Sequence, residues 1–122
     1  MKPFSLRLFC LLFLVSCADH KFDNSSAQES MTMAAVLCQK TVAEMVWFQD
    51  LLNRIEADES LRGDIYAVSI DSRIIFAHQP LIMSCYGCVL YDCNGNRIDM
   101  ATVDHEKVVA GMVGRNRIYS AF

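Results

Sequence analysis

The hydrophobic period of this chain changes once, at Gly63, and that change limits the fold more than any other feature. From Met31 to Arg62 there is neither glycine nor proline. Within that stretch Met45, Phe48, Leu52 and Ile55 recur at helical spacing with Leu51 beside them, while Gln49, Asp50, Asn53, Arg54 and Glu56 fall largely on the other side. Thr41-Val42-Ala43-Glu44 matches a capping box, in which hydroxyl and carboxylate satisfy free backbone donors. The pattern predicts a helix over about 42–58, with Trp47 at the edge of its apolar stripe. Residues 31–38 fit either a turn of helix or a short strand.

Beyond Gly63 the period is two and β-branched residues dominate. Ile65–Ile70 and Arg73–Gln79 read as strands joined by the turn pair Asp71-Ser72, and Pro80 ends the second. A third run, Cys88–Cys93, meets Asn94-Gly95, the strongest short-range hairpin signal. A two-residue turn there sets Tyr91 opposite Ile98, Val89 opposite Met100 and Asp92 opposite Arg97, with Leu90 and Asp99 facing each other on the second face. Asp104 suits the cap of a helix over His105–Val113 that Gly114 would stop, and Arg117–Phe122 reads as a last strand. The expectation is an α+β fold. An amphipathic helix packs on one face of an antiparallel meander of four to five strands, a short helix precedes the last strand, and the other sheet face is left for a partner.

The N-terminus is of a different kind. Residues 1–16 carry Lys2 and Arg7, no acid, and an apolar run from Leu8 to Val15, the pattern of an export signal and too short for the roughly 20 residues of a membrane-spanning helix. Leu14-Val15-Ser16-Cys17 resembles the lipobox of bacterial lipoproteins. That resemblance implies cleavage after Ser16, a diacylglyceryl thioether on Cys17 and acylation of the new amine. Several acyl chains make a stable membrane anchor. Ala18, with no aspartate directly after the cysteine, favours the outer membrane by analogy with enteric lipoproteins. Loss of residues 1–16 leaves 106 residues and, because Lys2 and Arg7 leave with them, takes the formal charge from −3 to −5. An acidic chain has little attraction for nucleic acid, which is not an expected partner. Residues 17–30, polar and containing His20, read as a flexible tether with a reach on the order of 20 Å, followed by a single domain over 31–122.

Cys10 leaves with the signal and Cys17 carries lipid, so Cys38, Cys85, Cys88 and Cys93 remain for the fold. An even number in an exported chain points to disulfides. Cys88 and Cys93 lie five apart on one expected strand, about 16 Å from each other, beyond any bridge. Cys93 on the apolar side of the hairpin suits pairing with Cys38, after which Cys85 and Cys88 can close a small loop. The other pairing, Cys85–Cys93 with Cys38–Cys88, needs residues 85–88 to fold back. A C-x2-C-x4-C set joined by Cys38, His78 or His105 has the donors for a metal, yet zinc ribbons repeat the C-x2-C pair and this chain has one. Cys85 and Cys88 precede a strand, whereas reactive C-x2-C pairs open a helix. Asp92–Asn96 lacks the glycine and acid an EF-hand needs, since Arg97 and Val103 stand at those positions. No catalytic residue, metal or cofactor is expected.

Trp47–Ile55 (W-F-x-x-L-L-x-x-I), Gly63–Tyr66 (G-D-I-Y), Ile74–Phe76 (I-I-F), Ser84–Cys88 (S-C-x-x-C), Leu90–Asn96 (L-Y-D-C-N-G-N) and Ile118–Ser120 (I-Y-S) together resemble small uncharacterised lipoproteins of Gram-negative gut bacteria. The resemblance covers roughly residues 45–120 and implies an envelope location and a compact domain, with no activity attached. The reading is a lipid-anchored, non-enzymatic binding or structural module with an envelope protein as partner; the alternative is a thiol-redox or metal-binding protein using Cys85, Cys88 and Cys93.

Overall fold

The computed structural model describes residues 27–122. The expected leader 1–16, Cys17, His20 and the first part of the expected tether lie outside the described residues. Residues 27–37 form helix α1, so the 31–38 stretch is helical and residues 27–30, expected in the tether, belong to the domain. The reason is a stripe of small residues that composition hides. Ala27, Met31, Ala34, Ala35 and Cys38 recur at helical spacing and pack into the core, and the buried Ser30 hydroxyl donates to Ile118 O. Gln39 ends α1 in the left-handed region, φ 55°, while Lys40 N donates to Ala35 O at 2.9 Å.

The expected 42–58 helix is divided. The capping box closes one 3₁₀ turn, Val42–Glu44, with Thr41 N donating to Glu44 Oε2 at 2.9 Å. Met45 then breaks the run, and helix α2 spans Val46–Ala57, burying Phe48, Leu51, Leu52 and Ile55. Strand β1 (Gly63–Ile70) and strand β2 (Arg73–Pro80) form the expected hairpin in register from Ile70↔Arg73 to Gly63↔Pro80. Its turn residues Asp71 and Ser72 both have positive φ, 52° and 63°, the mirror-image turn that suits a twisted hairpin. Strand β3 (Val89–Tyr91) pairs with β2, helix α3 spans His105–Gly111, and strand β4 (Arg117–Ser120) pairs with β1. The sheet is antiparallel throughout, in the order β3-β2-β1-β4.

The expected register at Asn94-Gly95 does not form. Tyr91 bridges Arg97, not Ile98, and Ile98 N donates to Leu90 O at 2.9 Å. The loop is one residue longer than a two-residue turn: Gly95 N donates to Asp92 O at 3.1 Å, and Asp92 N to Asn96 O at 3.0 Å. Asp92 Oδ1 accepts from both Asn94 N (2.8 Å) and Asn96 N (3.0 Å), so this carboxylate organises a three-residue loop with Gly95 at φ 82°. A shift of one residue exchanges faces. Val89 and Tyr91 therefore meet the α1–α2 side, whereas Leu90 and Ile98 meet α3, and Met100 is partly exposed in a 3₁₀ turn. After Ile98 the chain leaves the sheet, which has four strands among the described residues.

Both faces of the sheet are covered, so the open face expected for a partner is absent among the described residues. On one side α1 and α2 enclose Ile65, Phe76, Val89 and Tyr91. On the other, Val108 and Met112 of the α3 region pack on Val68, Ile75, Ala77 and Leu90. Asp104 caps α3 by accepting from Lys107 N, and the helix ends at Gly111, short of Val113; Gly114 opens a 3₁₀ turn (Gly114–Asn116). Asn116 Nδ2 donates to Gly111 O at 2.8 Å, which satisfies the helix end and explains its early stop.

Candidate functional site

The four cysteines pair as Cys38–Cys93 and Cys85–Cys88, with Cα–Cα distances of 5.6 and 5.7 Å. The first bridge ties the end of α1 to the β3 turn, across 55 residues of sequence. Around it Trp47 Nε1 donates to Cys93 O at 2.9 Å, and Lys40 Nζ donates to the same carbonyl (3.3 Å) and to Asn94 Oδ1. Trp47 also meets Phe48 and Phe76 edge-on, with ring centroids 5.4 Å away in each case. Trp47 is thus a keystone of the core edge and the turn.

The second bridge closes residues 85–88, the last part of the exposed loop between β2 and β3. Gln79 Oε1 accepts from Gly87 N at 2.8 Å, and His105 Nε2 lies 2.9 Å from Tyr86 O. Because Cys93 joins Cys38, the C-x2-C-x4-C set is not assembled as one group of donors. Among the described residues no group of three or more His, Cys, Asp or Glu side chains converges as a metal site would require. His78, the other donor considered, is buried on β2 with Nε2 2.8 Å from Leu61 O. Burial holds its pKa below the ordinary 6.5, against the raising effect of that hydrogen bond.

A surface feature that the sequence reading missed lies along β1. β4 pairs with β1 only from Asp64 to Tyr66. Residues 67–70 of β1 therefore have no strand neighbour on that side among the described residues. A groove of about 600 Å³ follows this free edge, lined by Leu37, Ser69, Ile70, Lys107 and Arg115. Through Leu37, Ala67 and Arg115 it meets a more apolar hollow of about 360 Å³ with Met33, Val36 and Ile118. Its sequence signal is faint: β4 is short, and the 3₁₀ turn Gly114–Asn116 stands where a longer strand would pair with residues 67–70. At the paired end, Asp64 Oδ2 lies 3.7 Å from Arg117 and accepts from Tyr66 OH at 3.3 Å, while Oδ1 is buried without a hydrogen bond. Burial, with the Asp64 charge beside it, pushes the Tyr66 phenol up to about 12.

No protein-family model, curated protein or solved structure matches this chain. Two disulfides are the mark of an extracytoplasmic domain. Among the described residues no helix is long and apolar enough to cross a membrane.

Proposed function

We propose that this chain is an envelope lipoprotein, anchored through Cys17 at the outer membrane, whose domain binds a protein partner without catalysing a reaction. The lipobox at Leu14–Cys17 supports the anchor, and the two disulfides agree with an oxidising envelope. The observation that carries the binding reading is the free edge of β1. Unpaired strand backbone offers a partner main-chain hydrogen bonds, and a groove beside it offers side-chain pockets. With the sheet faces covered, this edge replaces the open face as the docking surface.

The test is photo-crosslinking in intact cells, with a photoreactive residue at Ser69 of the full chain and, as control, at exposed Val46 on α2. A discrete adduct from Ser69 that Val46 does not give is the expected result. No adduct, or the same adducts from both positions, contradicts it. One observation favours a thiol-redox alternative: Cys85 is exposed within its C-x2-C bridge. A bridge of that function opens under a mild dithiol while Cys38–Cys93 stays closed, and reversible cycling of the two thiols supports this reading over binding.

A further inference from the structure

The end of the sheet where Gly63 lies carries a cluster of exposed apolar side chains. Leu81 and Ile82 are 70% and 74% exposed, with Met83 and Tyr86 beside them in sequence, and Phe122 is 71% exposed. Both groups are fixed to the same short piece of backbone. Leu81 N donates to Arg62 O at 2.9 Å, and Ala121 N donates to Gly63 O at 3.3 Å. Consecutive exposed aliphatics, held by the Leu81 backbone bond and followed directly by the Cys85–Cys88 bridge, mark an interaction surface. From Gln79 to Tyr91 the chain has no charged residue, so the loop can leave water without stripping an ion of its hydration.

The described chain also starts at this end. Ser30 of α1 bonds Ile118, which lies level with Ile65 and Tyr66, whereas Cys38 at the other end of α1 is bridged to Cys93, beyond Tyr91 and its partner Phe76. α1 thus runs from the Gly63 end toward the Asp71 turn, and Ala27, its first residue, lies at the same end as the loop. Ala27 is ten positions beyond Cys17, a span of at most about 33–36 Å.

From this placement we infer that Leu81, Ile82, Met83 and Phe122 form a membrane-docking surface, which seats the domain on the bilayer that holds its lipid anchor. The inference rests on acylation of Cys17. The docked partner is a zwitterionic lipid surface, because the loop carries no charge and the exposed Arg62 beside it is outnumbered by Asp58 and Glu59, so this end has no basic patch to select anionic headgroups. Docking of this end fixes the orientation of the domain and turns the free edge of β1, from Ala67 to Ile70, away from the bilayer and toward envelope partners.

The test uses full-length chain purified from a lipoprotein-processing host and reconstituted into phosphatidylcholine–phosphatidylethanolamine vesicles, with and without acyl-brominated lipid. Ile82→Trp and Val36→Trp place reporters at two exposed positions over the same Trp47 background. Side chains seated about 5–10 Å into the headgroup–acyl boundary contact the bromines, so the Ile82→Trp emission is quenched and the Val36→Trp emission is not. A chain that is acylated and floats with the vesicles, yet shows equal quenching at both positions, overturns the docking and leaves the anchor standing. An unacylated chain that stays off the vesicles overturns both.

Discussion

Replacing Cys38 and Cys93 together by alanine removes the bridge that holds the end of α1 to the β3 turn. The bridge spans 55 residues, and restoring that loop's freedom to the unfolded chain costs the fold about 4 kcal/mol in the chain-entropy account. The same arithmetic for Cys85 and Cys88, three residues apart, gives less than about 2 kcal/mol. The two double-alanine variants therefore differ sharply, although each loses one bridge. Trp47 is a built-in reporter, since its indole bonds Cys93 O and meets Phe76 edge-on in the core. Urea unfolding of the oxidised protein followed by tryptophan emission checks both values. The larger loss belongs to the Cys38/Cys93 pair, with an unchanged unfolding slope for the Cys85/Cys88 pair. Equal losses, or a larger loss from Cys85/Cys88, refute the pairing on which the fold and the exclusion of a common thiol site both stand.

Gly95 sits at φ 82°, and a Cβ there would fall within 2.5–2.8 Å of Trp47; Gly95→Ala is expected to lose about 2–4 kcal/mol by thermal or urea unfolding. Gly87, at φ 69° but with its nearest atoms at 3.2–3.3 Å, is expected to lose only about 1–2 kcal/mol on the same substitution. The buried His78 titrates below its ordinary 6.5, so the unfolded chain binds a proton first as pH falls. Stability is then full above that value and declines below it, and His78→Gln in the same unfolding series flattens the decline. Tyr66 and Tyr119 are raised to about 12, chiefly by burial, with Asp64 and Glu56 beside them. Ultraviolet titration is expected to show these two phenols ionising late, and stability falling as pH rises from 10 toward 12, because the unfolded chain releases those protons first.

The β1–β2 hairpin was legible because alternation, Asp71-Ser72 and Pro80 all agree on one register. The second hairpin was not, although its Asn-Gly signal was stronger. The Asp92 carboxylate takes two backbone donors and lengthens the loop by one residue, a local bond that dipeptide preference does not weigh. α2 could be read from its large apolar side chains, whereas α1 was half hidden, because a stripe of alanines buries little area per residue and looks like a tether. Strand geometry excluded a Cys88–Cys93 bridge and left two complete pairings, between which the structure decides for Cys38–Cys93 with Cys85–Cys88. The free edge of β1 could not be read, since it arises from the shortness of β4, and strand ends are set by the tertiary bonds of Asn116 and Gly111.

Mass spectrometry of the mature N-terminus, on protein made in a host that processes lipoproteins, bears most directly on the anchored-module account. The account predicts a first residue of Cys17 carrying diacylglyceryl and an amide-linked acyl chain, with Ser16 absent. A chain that retains residues 1–16, or one cleaved with an unmodified Cys17, contradicts it.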